Sequence, residues 1–164
     1  MGDYSVLFVC TANRIRSPMA AVFWRAYVTD HYPDDRWEIG SAGTWAQDGL
    51  PAMPLAVRIL AEHELSFQRH RSRLIDRALV DHYRLIVVME RGHQEALRIE
   101  FPHAASRIFL LSELSGPAYD IVDPVGGGPD EYRRTAEELR RLLVAGADRL
   151  RTLAHNPPSR PLSR

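Results

Sequence analysis

Three short apolar runs, at 6–9, 85–89 and 108–111, punctuate this chain, and between them hydrophobic positions return with a helical spacing. Val6-Leu7-Phe8-Val9 and Leu85-Ile86-Val87-Val88-Met89 are unbroken apolar runs, the pattern of strands buried on both faces. The pattern predicts strands near 5–9, 37–41, 85–89 and 107–111, separated by helices over 18–31, near 52–64, over 91–100 and over 130–153. This β-α-β rhythm predicts one α/β domain: a three-layer α/β/α arrangement with a central four-stranded parallel sheet and helices on both faces. Such sheets bind ligands beyond the carboxyl ends of their strands. The residues that follow the first strand therefore come first in a search for chemistry.

They read Cys10-Thr11-Ala12-Asn13-Arg14-Ile15-Arg16-Ser17-Pro18, with the chain's single cysteine at the strand end. Ser17-Pro18 reads as a helix N-cap followed by proline at the first helical position, which makes residues 10–17 a turn at a helix N-terminus. Successive backbone N–H groups and the positive end of the helix dipole favour an anion such as phosphate in a turn of this kind. A thiol held beside converging amides and an arginine is stabilised as the thiolate, the attacking species. Arg16 can grip two phosphate oxygens at once and stabilise the equatorial oxygens of a phosphoryl-transfer transition state. Ser17 can donate its hydroxyl hydrogen to the thiolate, and Asn13 tolerates the left-handed backbone angles that a tight cradle needs. The plainer alternative is a buried Cys10 acting only as a small hydrophobe.

Composition narrows the partners. Lys+Arg of 21 against Asp+Glu of 21 leaves no net field to steer nucleic acid or anionic lipid. No apolar run approaches membrane-spanning length, residues 1–9 lack a signal-peptide pattern, and one reactive-type cysteine suits a reducing compartment, so a cytoplasmic protein is expected. The seven histidines show neither His-x-His nor His-x3-His spacing, and no nucleotide-binding glycine motif is present, so neither metal nor cofactor is expected. Residues 155–164 include Asn156-Pro157-Pro158-Ser159-Arg160-Pro161 and are expected to form a disordered tail beyond a domain ending at 154. Arg69-His70-Arg71-Ser72-Arg73 is a local basic cluster, either solvated loop charge or a contact for an acidic partner. Trp45 can wall a substrate ring or pack on the surface. The turn-rich stretch from Asp120 to Gly128 contains Asp123, which by itself fits an Asx-turn or a helix cap as well as a general acid carried on a mobile loop.

The Cys-x5-Arg-Ser-Pro-Met-Ala run at Cys10 to Ala20 resembles the signature loop of the low-molecular-weight protein tyrosine phosphatases. Ser41-Ala42-Gly43-Thr44, His70-Arg71-Ser72-Arg73, Leu85 to Met89 and Asp123-Pro124 follow as family landmarks in the expected order, so the resemblance covers about residues 4–154. It implies a phosphatase without cofactor acting on phosphorylated protein through a phosphocysteine. Cys10 would be the nucleophile, Thr11, Ala12, Asn13, Arg14, Ile15, Arg16 and Ser17 the phosphate loop, Asp123 the general acid, and His70 a support for the loop. Three departures matter. Ile15 stands where the family usually carries a second, protective cysteine, so oxidised Cys10 must be rescued by an external thiol. A single cysteine also disfavours the related arsenate reductases, which relay oxidation through several. Arg14 stands where tyrosine-specific members usually have Ile and arginine-phosphatase relatives Thr. Asp-Pro-Val-Gly-Gly leans towards the arginine-phosphatase branch, whereas a cation at Arg14 disfavours a guanidinium-bearing substrate and can stack on a phosphotyrosine ring. Phosphotyrosine is the expected substrate, phosphoarginine the alternative, and a phosphate-binding module without turnover the reading from another class.

Overall fold

The computed structural model of the chain describes residues 2–159. Strands β1 (Tyr4–Cys10), β2 (Trp37–Gly43), β3 (Leu85–Val88) and β4 (Ile108–Leu110) form one parallel sheet in the order β2-β1-β3-β4. The chain leaves β1 for β2 on one side and then crosses to β3 on the other. The direction of winding thus reverses at the carboxyl end of β1, where α/β sheets open a crevice for ligands. Cys10 is the last residue of β1, opposite Gly43 of β2.

Strand alternation sorts the core into the two outer interfaces. Val6, Phe8 and Cys10, with Leu85 and Val87, meet helices α1 (Arg16–His31), α2 (Pro54–Glu62), α5 (Pro129–Ala145) and α6 (Ala147–His155). Leu7, Val9, Ile86 and Val88 meet α3 (Arg77–His82) and α4 (Arg91–Glu100). All of these strand residues are buried, and each such side chain contributes on the order of 1.5–3 kcal/mol. The three-layer expectation therefore holds.

Details differ where local chemistry overrides the periodic pattern. Helix α1 begins at Arg16, one residue before the expected cap, and the N-cap position belongs to Ile15 without a side-chain bond. Ser17 does not cap because its hydroxyl is committed to the loop beside it. Pro18 is instead the third helical residue, where its missing N–H still costs no intrahelical bond. The helix expected over 130–153 is two helices. Gly146 breaks it, its N–H closing α5 on Leu142 O, and a Cβ there would lie 3.0 Å from Leu114 Cβ. Helix α3 was not expected, being too short for a periodic signal; Asp76 caps it by accepting from Leu79 N at 2.8 Å. The boundary at 154 falls inside α6, whose last residue His155 stacks on Tyr4 at 4.8 Å, while Ser106 donates to Pro158 O at 3.0 Å. Residues 160–164 of the tail lie outside the described residues.

Candidate active site

The loop from Thr11 to Ile15 leaves the sheet and turns at once into α1. Its N–H groups, from Thr11 through Ile15, donate to no protein acceptor among the described residues, whereas its carbonyls are held from outside. Thr44 N donates to Cys10 O at 2.9 Å, Trp45 N to Thr11 O at 3.0 Å and Met53 N to Arg14 O at 3.0 Å. A loop pinned by its carbonyls and idle at its amides keeps its donors for an anion. Gly43 permits the pinning: a Cβ there would fall 2.3 Å from Thr11 O and 2.8 Å from Ala46 Cβ.

Asn13 is the knot of the loop. It is fully buried at φ 58°, the left-handed conformation expected of it. Its Nδ2 donates to Ser17 Oγ at 2.8 Å, its Oδ1 accepts from Arg73 N at 3.0 Å, and its carbonyl accepts from His70 Nε2 at 2.8 Å. Burial lowers the His70 pKa, with Arg73 and Arg71 adding to the effect, which suits a neutral ring donating one N–H. Ser17 Oγ lies 3.0 Å from Cys10 Sγ and 3.2 Å from Ala42 O. Because Asn13 already donates to that oxygen, the single Ser17 proton is aimed at either the sulfur or the Ala42 carbonyl. Swinging it to sulfur is how the hydroxyl can stabilise a thiolate. Cys10 and Ile15 are both buried, Ile15 against the core.

Arg16 enters the same space, 1% exposed in spite of its charge. Nη1 donates to Ile121 O at 2.7 Å and pairs with Glu90 Oε2 at 3.1 Å; Nη2 reaches Asp123 Oδ2 at 3.3 Å and Thr11 Oγ1 at 3.5 Å. A guanidinium buried this deeply is tolerated because both ends are matched by carboxylate and carbonyl oxygens. Asp123 adopts the Asx-turn reading. Oδ1 accepts from Val125 N at 3.1 Å, an Asx-type turn, while Oδ2 faces Arg16. Asp120 is engaged elsewhere, accepting from Arg91 N at 2.7 Å at the start of α4.

Glu90 and His93 were not singled out from the sequence. Glu90 N donates to His93 Nδ1 at 3.1 Å, so the ring hydrogen sits on Nε2, 2.8 Å from Thr11 Oγ1 and 3.3 Å from Glu90 Oε2. Burial lowers the His93 pKa and outweighs the opposing pull of Glu90, in keeping with a neutral ring. The one available signal was Glu-x-x-His directly after a strand, which reads only as a capping box. Its second use, orienting Arg16 and Thr11, exists only once β3 lies beside β1.

The rim carries the remaining residues. Ala12 is exposed, and Trp45 is 85% exposed, so it is not a core residue. Val122 and Val125 are also exposed on the Asp123 loop. Arg14 donates from Nε to Pro51 O at 2.8 Å. Tyr132 is buried and its pKa is raised first by burial and then by Asp123, with Arg14 opposing. Cys10, Thr11, Asn13, Arg16, Ser17 and Asp123 thus come together from β1, the following loop, α1 and the loop before α5, whereas Trp45 follows β2 and meets the loop through its backbone N, and the Arg14 side chain is bonded to Pro51 O.

Known proteins match this arrangement. The family model for low molecular weight phosphotyrosine protein phosphatase matches residues 5–154. A protein-arginine-phosphatase of Geobacillus stearothermophilus is 34% identical over 150 residues, 91% of this chain and 97% of its own. The low molecular weight protein-tyrosine-phosphatase PtpB of Staphylococcus haemolyticus is 33% identical over 138 residues, 84% of this chain and 94% of its own. Among solved structures, a low molecular weight protein tyrosine phosphatase from T. tengcongensis superposes with TM-score 0.83 at 33% identity, over 89% of this chain and 99% of its own. A YwlE arginine phosphatase, solved as a cysteine-to-serine mutant with a phosphorylated active-site serine, superposes with TM-score 0.83 at 29% identity, over 89% of this chain and 95% of its own. With the family model spanning nearly all of the chain and the fold agreeing, the chain belongs to the low molecular weight phosphotyrosine protein phosphatase family and is a hydrolase.

Proposed function

We propose that this enzyme is a protein tyrosine phosphatase that needs no metal and works through a phosphocysteine on Cys10. The observation that carries the reading is the meeting of Cys10 Sγ, Ser17 Oγ, the Arg16 guanidinium and the Asp123 carboxyl around idle loop amides. A phosphate ester in that cradle meets positive charge from Arg16 and N–H dipoles from the loop, the compensation a phosphoryl group needs. The Cys10 sulfur attacks phosphorus, the ester oxygen leaves and takes a proton from Asp123, and phosphate stays on sulfur. Water then attacks phosphorus while the Asp123 carboxylate accepts its proton, and Cys10 leaves as a thiolate with Ser17 donating to it. An arriving phosphate competes with Asp123 for Arg16 Nη2, which releases the carboxyl group towards the leaving oxygen. Turnover of para-nitrophenyl phosphate in EDTA, blocked by vanadate, is expected. Binding of phosphate without turnover would mean a binding module instead.

Asp123→Asn tests the proton step. Phenyl phosphate should lose at least about tenfold more rate than para-nitrophenyl phosphate, because only the poorer leaving group needs the full proton. Equal losses on the two esters in that mutant would place the acid elsewhere and leave Asp120 the next residue to test.

For the substrate, phosphotyrosine is favoured by the exposed apolar side chains of Trp45, Val122 and Val125, which can pack on a substrate ring, and by a cation at Arg14 that can stack on it. Phosphoarginine is the second reading, supported by the arginine phosphatases among the relatives. Its guanidinium would meet the Arg14 charge, a repulsion on the order of 1 kcal/mol at 4 Å in water and several-fold larger where water is excluded. Arg14→Thr is therefore expected to raise the phosphoarginine-to-phosphotyrosine ratio of kcat/KM by about fivefold or more at low salt, with added salt narrowing the gap. An unchanged ratio on peptides differing only in the phosphorylated residue would remove Arg14 from substrate choice.

A further inference from the structure

Behind the phosphate loop, a groove of about 620 Å³ runs between α1, the outer edge of β2 and the segment 67–73. Arg25, Arg69, His70, Arg71 and Arg73 line it, and no Asp or Glu does. In a chain with equal numbers of acidic and basic residues this is a local departure. None of the four groove arginines has a carboxylate partner among the described residues; Arg25 and Arg73 donate to the Ile39 and Ser41 carbonyls, and Arg71 to His70 O. The floor is apolar, built from Pro18, Val22, Ile39 and Phe67.

The strand edge adds a third feature. Gly43 turns its N–H and carbonyl away from β1, bonding Arg73 O at 2.9 Å and Ile75 N at 2.8 Å. By the two-residue period of a strand, Ser41 and Ile39 present theirs to the same side. Their carbonyls are capped by Arg73 Nε at 2.9 Å and Arg25 Nη2 at 3.2 Å. Their N–H groups have no side-chain acceptor among the described residues and remain for a carbonyl from outside.

We propose that this groove docks an extended acidic segment of a protein partner, with carbonyls on the β2 edge, apolar side chains on the floor and carboxylates on the arginine rim. Each part of the site selects against another occupant. An oligonucleotide would find only Phe67 and His70 as aromatic faces there, both half-buried, and no platform for successive bases. A membrane surface is flat, whereas the cations here line a concavity. A peptide added to a sheet edge uses backbone bonds for affinity and alternate side chains for specificity, which matches one apolar and one charged wall. The proposal is independent of the substrate reading, since the groove residues named for the test lie outside the catalytic cleft.

The test is fluorescence anisotropy with a short labelled peptide that alternates Asp or Glu with Val or Phe. Saturable binding that weakens with salt is expected, and the same peptide with Lys in place of the acids should not bind. Arg25→Glu with Arg69→Glu should weaken the acidic peptide at least about tenfold, and Arg69→Glu alone, which disturbs no bond in the fold, about threefold or more. Both variants should keep wild-type turnover of para-nitrophenyl phosphate, which certifies that they are folded and that the cleft is intact. Saturating vanadate should leave the peptide bound. Displacement by vanadate, equal binding of the Lys peptide, or indifference to both charge reversals would overturn the proposal. So would a preference for an oligonucleotide or for vesicles of anionic lipid that the same reversals abolish.

Discussion

Replacing Cys10 by Ser is expected to leave a folded protein whose turnover of para-nitrophenyl phosphate falls by at least about 10⁴-fold. The side chain is buried beside Ser17, and exchanging sulfur for oxygen removes little volume, so a thermal melt should shift only slightly. The chemistry is less forgiving. The hydroxyl would need a base to attack, and its side-chain partner is another hydroxyl, Ser17 Oγ, not an imidazole or carboxylate. The loop amides and Arg16 stay in place, so phosphate and vanadate should still bind and raise the melting temperature. Any phosphate transferred should remain on the substituted side chain, because an alkoxide is a far poorer leaving group than a thiolate. Mass spectrometry after incubation with substrate reads this directly. Multiple turnover within about a hundredfold of wild type would remove Cys10 as the nucleophile.

Much of this site could be read from the chain because its chemistry lies in one stretch. Seven residues from Thr11 to Ser17 carry the loop, the arginine and the assisting hydroxyl, and the apolar run before them placed Cys10 at a strand end. What could not be read depends on contacts distant in sequence. Glu90 and His93 look like an ordinary capping box until β3 pairs with β1 and brings them to Arg16 and Thr11. Ser17 illustrates the opposite error. Its type and its following proline fit an N-cap, but the oxygen is taken by Asn13, Cys10 and Ala42, and Ala42 belongs to a strand whose position no local rule could supply. The fold shows the same division. The long periodic segments gave the layers, while α3 and the break at Gly146 turn on one cap and one close approach to Leu114.

The loop glycines have a more specific role than general mobility. Gly126 adopts φ 82°, which a side chain rarely tolerates, and Gly127 N closes a turn on Pro124 O. Ile121 N is bonded to Met89 O and its carbonyl to Arg16. The Asp123 loop is thus anchored at the sheet end and shaped by a turn further on, leaving Asp123 between two fixed points. That geometry suits a carboxyl group that must alternate between Arg16 and a leaving oxygen over a short distance.

Arg16→Lys should be severe, although the charge is kept. The guanidinium spans Ile121 O and Glu90 with one nitrogen and Asp123 and Thr11 with the other, from a position almost sealed from solvent. A lysine ammonium is a single point with three donors and cannot serve both ends. It would sit near Glu90 or near the phosphate, and in either place the planar two-point grip on the equatorial oxygens is gone. Removing such a preorganised donor costs about 10²–10³ in kcat, or roughly 2.7–4 kcal/mol. The loss should appear chiefly in kcat, because the loop amides that hold the ground-state phosphate are untouched. A second effect should accompany it. Ile121 O would lose a buried donor at a cost of about 1–3 kcal/mol, lowering the melting temperature and loosening the anchor of the Asp123 loop. Kinetics on para-nitrophenyl phosphate separates the two, since phosphate binding restores part of the stability but none of the rate. A loss of less than about tenfold in kcat, or about 1.4 kcal/mol, would show that Arg16 braces the loops without clamping the transition state.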